Sequence, residues 1–97
     1  MKVEYDQQAD ALYIELISTV EVARTVEIDP GTLVDLDADS KLIGVEIIRP
    51  ARPWPVTEIL SRFPADNSSA RLLRLLERAT GSAGTFNYAQ PGQLVGT

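Results

Sequence analysis

The sequence has 97 residues and a formal net charge of −5 at pH 7, and a chain of this length forms a single domain. It contains no cysteine and no histidine, which excludes disulfides, thiolate nucleophiles, the usual zinc ligands and the most common general base. We therefore expect a protein that is not an enzyme and that carries no cofactor.

The charge is unevenly distributed. Residues 1–48 carry eleven acidic and three basic side chains, whereas residues 49–97 carry six arginines and three acidic side chains. The two halves are expected to dock on each other or to be solvated, and the alternative is an acidic sheet that meets a basic partner. No apolar run approaches the roughly 20 residues that cross a bilayer, and the first residues lack the layout of a secretion signal. We expect a cytoplasmic protein that does not insert into a membrane.

Apolar and polar residues alternate with period two along residues 1–48, interrupted by polar or turn-forming segments at residues 7–10, 29–31 and 37–40. This pattern predicts five short strands in an antiparallel β-meander over residues 1–49. Val22, Val26 and Ile28 are assigned to the third strand with Arg24 on the same face, and Tyr5 and Tyr13 are expected to form a cross-strand pair. The last strand, residues 42–48, has apolar residues at both parities, which is typical of a strand covered on both faces.

The second half of the chain favours helices. The three prolines within residues 50–55 predict a stiff linker. Trp54 lies in this linker, beside the apolar stripe of the helix that follows, and is expected to anchor the packing. Val56, Ile59, Leu60 and Phe63 have the spacing of a short amphipathic helix that Pro64 ends.

A second helix is predicted to begin at Ser68 or Ser69 and to end at Gly81, with an apolar stripe formed by Leu72, Leu75, Leu76 and Ala79. Residues 81–97 are uncharged and lack periodicity, which predicts a flexible tail. The fold class is therefore α+β, with residues 1–80 as one domain whose helical part covers residues 56–80.

Four carboxylates have the spacing of ligands in a calcium-binding loop: Asp35, Asp37, Asp39 and Glu46. Ser40 stands where that loop needs glycine, and the neighbouring residues alternate like strands rather than helices. A hairpin turn is the favoured interpretation, since aspartate side chains accept hydrogen bonds from turn amides. A small metal or ligand binding protein, or an enzyme built on these carboxylates, remains the alternative.

Arg71, Arg74 and Arg78 lie on one side of the second predicted helix. Three arginines on a protein of net charge −5 are a weak footprint for nucleic-acid binding, which we keep as a further alternative. We favour contact with the acidic sheet of the same chain or with carboxylates of a partner.

Several spaced segments resemble a widespread family of small bacterial proteins known as domain of unknown function 2283. They are residues 5–16, 25–27, 31, 34–39 and 44–47, so that the resemblance covers about residues 1–50. The family pattern usually has glycine at the position of Ser40. The resemblance implies a compact β-meander in a bacterial protein without catalytic residues. Relatives of this kind often look like accessory partners that are encoded beside small toxin-like proteins. The resemblance therefore favours an antitoxin-like role.

The leading hypothesis is therefore a protein-binding module that is not an enzyme, with an antitoxin-like or regulatory role. Self-association, as a homodimer, is expected as well because an open sheet of five strands leaves two edges and the chain has little core.

Overall fold

The computed structural model describes residues 1–82, which form a five-stranded antiparallel sheet followed by two helices. The predicted α+β class is thereby confirmed. The strands are β1 (Lys2–Asp6), β2 (Ala11–Glu15), β3 (Arg24–Asp29), β4 (Thr32–Leu36) and β5 (Leu42–Ile48). The helices are α1 (Val56–Arg62) and α2 (Asn67–Glu77), and a π-helical turn, Arg78–Ser82, follows α2. None of the helices described is long and apolar enough to span a membrane.

The order of the strands in the sheet is β1-β2-β5-β4-β3, so that the expectation of a sequential meander is wrong in one respect. The chain leaves β2, passes the ends of β5 and β4, and starts β3 at the far edge. Backbone hydrogen bonds from Leu16 to Ile43 and from Ala23 to Leu36 hold this connection against the sheet. The last four strands therefore have a Greek-key arrangement. Val22, which the period-two pattern placed in β3, lies in the connection and is exposed.

The position of β5 follows from its composition. It is the longest strand and the richest in buried apolar residues, and a central position satisfies its backbone groups on both sides and buries its side chains. Leu42, Val45 and Ile47 are all fully buried. A bulge opposite Asp35 and Leu36 brings Leu42 into the same core as Val45, although the period-two pattern assigned them to opposite faces.

The core lies between one face of the sheet and the helices. The sheet contributes Leu12, Ile14, Val34, Val45 and Ile47, among others, and the second half of the chain contributes Trp54, Val56, Ile59, Phe63 and Leu73. The predicted stripe of α1 is confirmed, since Val56, Ile59 and Phe63 are buried.

The predicted linker, residues 50–55, packs against the body through alternate residues, Pro50, Arg52 and Trp54, while Ala51 and Pro53 are exposed. Pro50 is fully buried, and Trp54 is only 2% exposed and donates a hydrogen bond from Nε1 to Thr80 Oγ1 (3.2 Å). Arg52 donates hydrogen bonds to the Gly31 carbonyl (2.9 Å), to Thr32 Oγ1 (2.9 Å) and to the Ile48 carbonyl (3.1 Å). The segment therefore ties the β3–β4 turn, the end of β5 and the end of the helical part together.

The apolar stripe of α2 is rotated from the one that leucine spacing predicts. Ser69 and Leu73 are buried and Leu72 and Leu76 half-buried, whereas Leu75 is 55% exposed. Ser69 is thus inside the helix rather than at its cap, which is Asp66. Leucine spacing does not define the buried side of this helix, because two small polar side chains, Ser69 and Thr80, also occupy inward positions.

Gly81 does not end the helical part, because the π-helical turn continues to Ser82. It instead permits close packing, since a β-carbon at Gly81 would collide with the Arg52 carbonyl oxygen. The rest of the predicted flexible tail, residues 83–97, lies outside the described residues.

Replacing Arg52 with methionine should lower the free energy of unfolding by about 2–3 kcal/mol, because carbonyl and hydroxyl oxygens at the sheet end lose a charged donor. Arg71→Met is the matched control, since Arg71 is exposed and should change stability by less than about 0.5 kcal/mol. Urea denaturation followed by circular dichroism measures both. Equal midpoints for the two variants would show that the Arg52 contacts do not hold the segment.

Candidate functional site

The sheet face that points away from the helices, here called the outer face, is rich in carboxylates. Strand register places the following side chains on it: Lys2, Glu4 and Asp6 of β1, Ala11, Tyr13 and Glu15 of β2, Gly44, Glu46 and Ile48 of β5, Leu33 and Asp35 of β4, and Thr25 and Glu27 of β3. Six of these are acidic and one is basic. None belongs to the core that the helices share, and no described helix packs on this face.

One row of the outer face crosses all five strands. It runs Glu4, Tyr13, Glu46, Leu33, Glu27, so that a carboxylate stands on every second strand and an apolar or aromatic side chain between each pair. Neighbouring strands are about 4.8 Å apart, which spaces these carboxylates by about 10 Å. Beside the β1–β2 hairpin the surface forms an open concavity of about 840 Å³, whose lining includes Glu4, Tyr13 and Glu46 of this row.

A hydrogen-bonded bridge crosses the middle of the outer face. The Tyr13 hydroxyl donates to Asp35 Oδ2 (2.9 Å), and Thr25 Oγ1 donates to Asp35 Oδ1 (2.7 Å), so that β2, β4 and β3 are linked. The bridge passes over Gly44 of β5, where a β-carbon would lie 2.6 Å from the Tyr13 oxygen. Glycine at position 44 therefore leaves the room that the tyrosine needs to reach across the central strand.

Two tyrosines have raised pKa values for different reasons. Partial burial, the hydrogen bond to Asp35 and nearby carboxylates raise the pKa of Tyr13 to about 12. The hydrogen bond that Tyr5 donates to Asp10 Oδ1 (2.6 Å) is the main cause that raises the pKa of Tyr5 to about 12. The prediction that Tyr5 and Tyr13 form a cross-strand pair is wrong. Tyr5 is paired with Leu12 and Tyr13 with Glu4, so the two tyrosines lie on different faces of the sheet.

The four carboxylates with calcium-loop spacing are divided by the fold. Asp35 and Glu46 lie on the outer face, whereas Asp37 and Asp39 lie in the β4–β5 turn. Asp37 Oδ1 accepts hydrogen bonds from the amides of Asp39 (2.8 Å) and Lys41 (2.9 Å), as the hairpin-turn interpretation predicted. Among residues 1–82, no three acidic side chains are grouped so that they could hold a metal ion.

Ser40 completes this turn with a φ of 65°, in the left-handed region. Glycine adopts that conformation without strain, so the glycine that the resemblance led us to expect here would fit this turn. The Ser40 hydroxyl accepts a hydrogen bond from Arg24 Nη2 (2.8 Å).

The two arginines of α2 and the first residue after it, Arg78, form no ion pair with the sheet of their own chain. Arg71, Arg74 and Arg78 are all exposed, and within the described residues no carboxylate lies within ion-pair distance of them. Together with Leu75 they follow the spacing i, i+3, i+4, i+7 on the side of the helix opposite Leu73, and we call these four residues the arginine stripe. The spacing of the arginines was visible in the sequence, but the exposed leucine among them was not.

The part of the chain that forms the sheet matches a known protein family. Residues 2–49 match the family described as Protein of unknown function (DUF2283), so the resemblance seen in the sequence is confirmed for the five-stranded sheet. A search of curated proteins and a search of solved structures found no match. This chain therefore contains a DUF2283 domain, and its outer face belongs entirely to that domain.

Replacing Gly44 with alanine should lower the free energy of unfolding by about 1 kcal/mol, because the new methyl group displaces the Tyr13 hydroxyl from Asp35. In a Tyr13→Phe background the same change should be neutral or stabilising by up to about 1 kcal/mol, since alanine suits a strand better than glycine. A double-mutant cycle from urea denaturation measures the coupling. Additive effects would mean that the bridge does not depend on Gly44.

Tyr5 and Tyr13 should ionise near pH 12 rather than at the ordinary value of 10. Their raised pKa values stabilise the fold below about pH 10, and this contribution is lost as the pH rises towards 12. Absorbance titration of a Tyr88→Phe variant isolates these two groups, because the chain has three tyrosines. Asp35→Asn should lower the pKa of Tyr13 and leave that of Tyr5 in place. Ionisation of both groups at pH 10 would contradict the two hydrogen bonds.

Proposed function

We propose that this protein is a protein-binding module, without enzymatic activity, that receives a basic partner on its outer face. The observation that carries the proposal is the row Glu4, Tyr13, Glu46, Leu33, Glu27, in which apolar side chains alternate with carboxylates on a face without a described helix. Apolar contacts supply most of the binding free energy in such interfaces, and surrounding charges select the partner and speed its approach.

The state of the face before binding supports this role. The bridge among Tyr13, Asp35 and Thr25 fixes three side chains across the sheet, so less conformational entropy is lost when a partner docks. Tyr13 is half-buried and presents part of its ring beside Glu46, and tyrosine is enriched at protein interfaces. The raised pKa of Tyr13, about 12, makes its phenolate harder to form than that of an ordinary tyrosine, which favours a structural donor over a nucleophile or base.

The partner that fits is a protein surface with lysine or arginine side chains around an apolar centre. An antitoxin-like role is the particular form that we favour, in which the outer face covers a basic surface of a small protein and blocks it. Neutralising a basic surface requires carboxylates at fixed positions, and the strand register supplies these.

Capture from lysate of the native host tests this function with two matched variants. The tagged protein should retain a stoichiometric basic protein, and Glu27→Lys with Glu46→Lys should lose it, because two carboxylates of the row become repulsive. Glu21→Lys with Glu58→Lys changes the net charge equally at exposed sites off the outer face and should retain the partner. Loss from both variants, or from neither, would refute a binding role for this face.

A further inference from the structure

We propose that copies of this protein associate head to tail, with the arginine stripe of α2 in one copy docked across the carboxylate row on the outer face of the next. This inference rests on the proposed function, because the receiving surface is the same outer face. It names a second copy of the chain as one partner of that face.

The first argument is the distribution of unpaired charge. Lys2, Lys41, Arg52 and Arg62 each form an ion pair within their own chain. Five arginines form none within residues 1–82, namely Arg24, Arg49, Arg71, Arg74 and Arg78, and the last three are gathered on one side of one helical segment. Residues 83–97 contain no charged side chain, so the side chains of this segment offer no charge complement to either surface.

The second argument is the match in spacing. Arg71 and Arg78 are seven residues apart on a helix that rises 1.5 Å per residue, which separates them by about 10 Å along its axis. Glu46 and Glu27 are two strands apart, which is also about 10 Å. A helix laid across the strands can therefore place both arginines over carboxylates at once.

The third argument is the apolar residue between the charges on each surface. Leu75 is 55% exposed and lies between Arg71 and Arg78 along the stripe. Leu33 is half-buried and lies between Glu46 and Glu27 along the row. Contact between the two leucines would remove the Leu75 side chain from water, where it is exposed in the monomer.

The geometry of the monomer sets the form of the assembly. The arginine stripe and the outer face point away from each other, because the stripe is on the side of α2 opposite Leu73, and Leu73 belongs to the core that lines the other face of the sheet. A symmetric pair through two outer faces would bring carboxylates against carboxylates, which is unfavourable. The contact is therefore heterologous, and copies add in one direction rather than closing as a two-fold dimer. A single short helix buries little area, so the association is weak.

Sedimentation equilibrium of the full chain tests the proposal at low and high salt. The average mass should rise with protein concentration at about 50 mM salt and fall towards the monomer at about 500 mM, where exposed ion pairs are screened. Arg71→Glu with Arg78→Glu should weaken the association about tenfold, and so should Glu27→Lys with Glu46→Lys. The protein that carries all four substitutions should associate again, because attraction is restored with the signs exchanged. Circular dichroism checks that each variant is folded.

Failure of this inference is distinct from failure of the proposed function. The arginine variant leaves the outer face intact, so it should still capture a basic partner from lysate while it no longer self-associates. A mass that stops at two copies and ignores salt would overturn the head-to-tail contact, and would indicate pairing of sheet edges. A monomer at all concentrations would overturn it too. So would a labelled oligonucleotide that binds the monomeric wild type and not the arginine variant, because the stripe would then serve a nucleic acid.

Discussion

The insertion of β5 between β2 and β4 is the constraint on which the rest of the structure depends. Val45 and Ile47 are fully buried only because strands lie on both sides of β5 and the helices cover the face that these side chains share. The same insertion forces the chain to pass from β2 to the far edge before it can form β3. Non-local pairings of this kind cost chain entropy, and the apolar content of β5 offsets that cost. The first residues of the chain and the last strand of the sheet are therefore held in one sheet, with β1 beside β2 and β2 beside β5.

The two faces of this sheet differ because the helices among residues 1–82 cover only one of them. The covered face carries aliphatic side chains into the core, and the outer face alternates carboxylates with Tyr13, Leu33 and Ile48. Repulsion among these carboxylates would loosen an unbraced sheet. The hydroxyls of Tyr13 and Thr25 counter this by donating to Asp35, and Gly44 leaves the space across which Tyr13 reaches. The result is an acidic surface on which the side chains of Tyr13, Asp35 and Thr25 are held in place.

The sheet layer and the helical layer carry opposite charges, which gives the molecule one acidic side and one basic side. The sheet layer presents acidic side chains on one side, and α2 presents Arg71, Arg74 and Arg78 on the other. The expectation that these arginines dock on the sheet of their own chain fails because the buried stripe of α2 turns them away from it. A body of this kind attracts positive surfaces on one side and negative surfaces on the other, which is the physical basis of the proposed partner binding and of the proposed self-association.

The sequence alone determined the elements and the family. Period-two alternation defined the five strands, the spacing of Val56, Ile59 and Phe63 defined α1, and the aspartates at positions 37 and 39 defined the β4–β5 turn, because each of these signals is local. Only the tertiary structure decided which strands pair, since the pairing of β2 with β5 joins residues about thirty positions apart that no local pattern connects. It also decided that Ser69 and Thr80 face inward while Leu75 faces water, because Leu73 of α2 belongs to the core and Thr80 accepts a hydrogen bond from Trp54. The outer face itself became visible only when strand register brought Tyr13, Asp35 and Gly44 together from three separate strands.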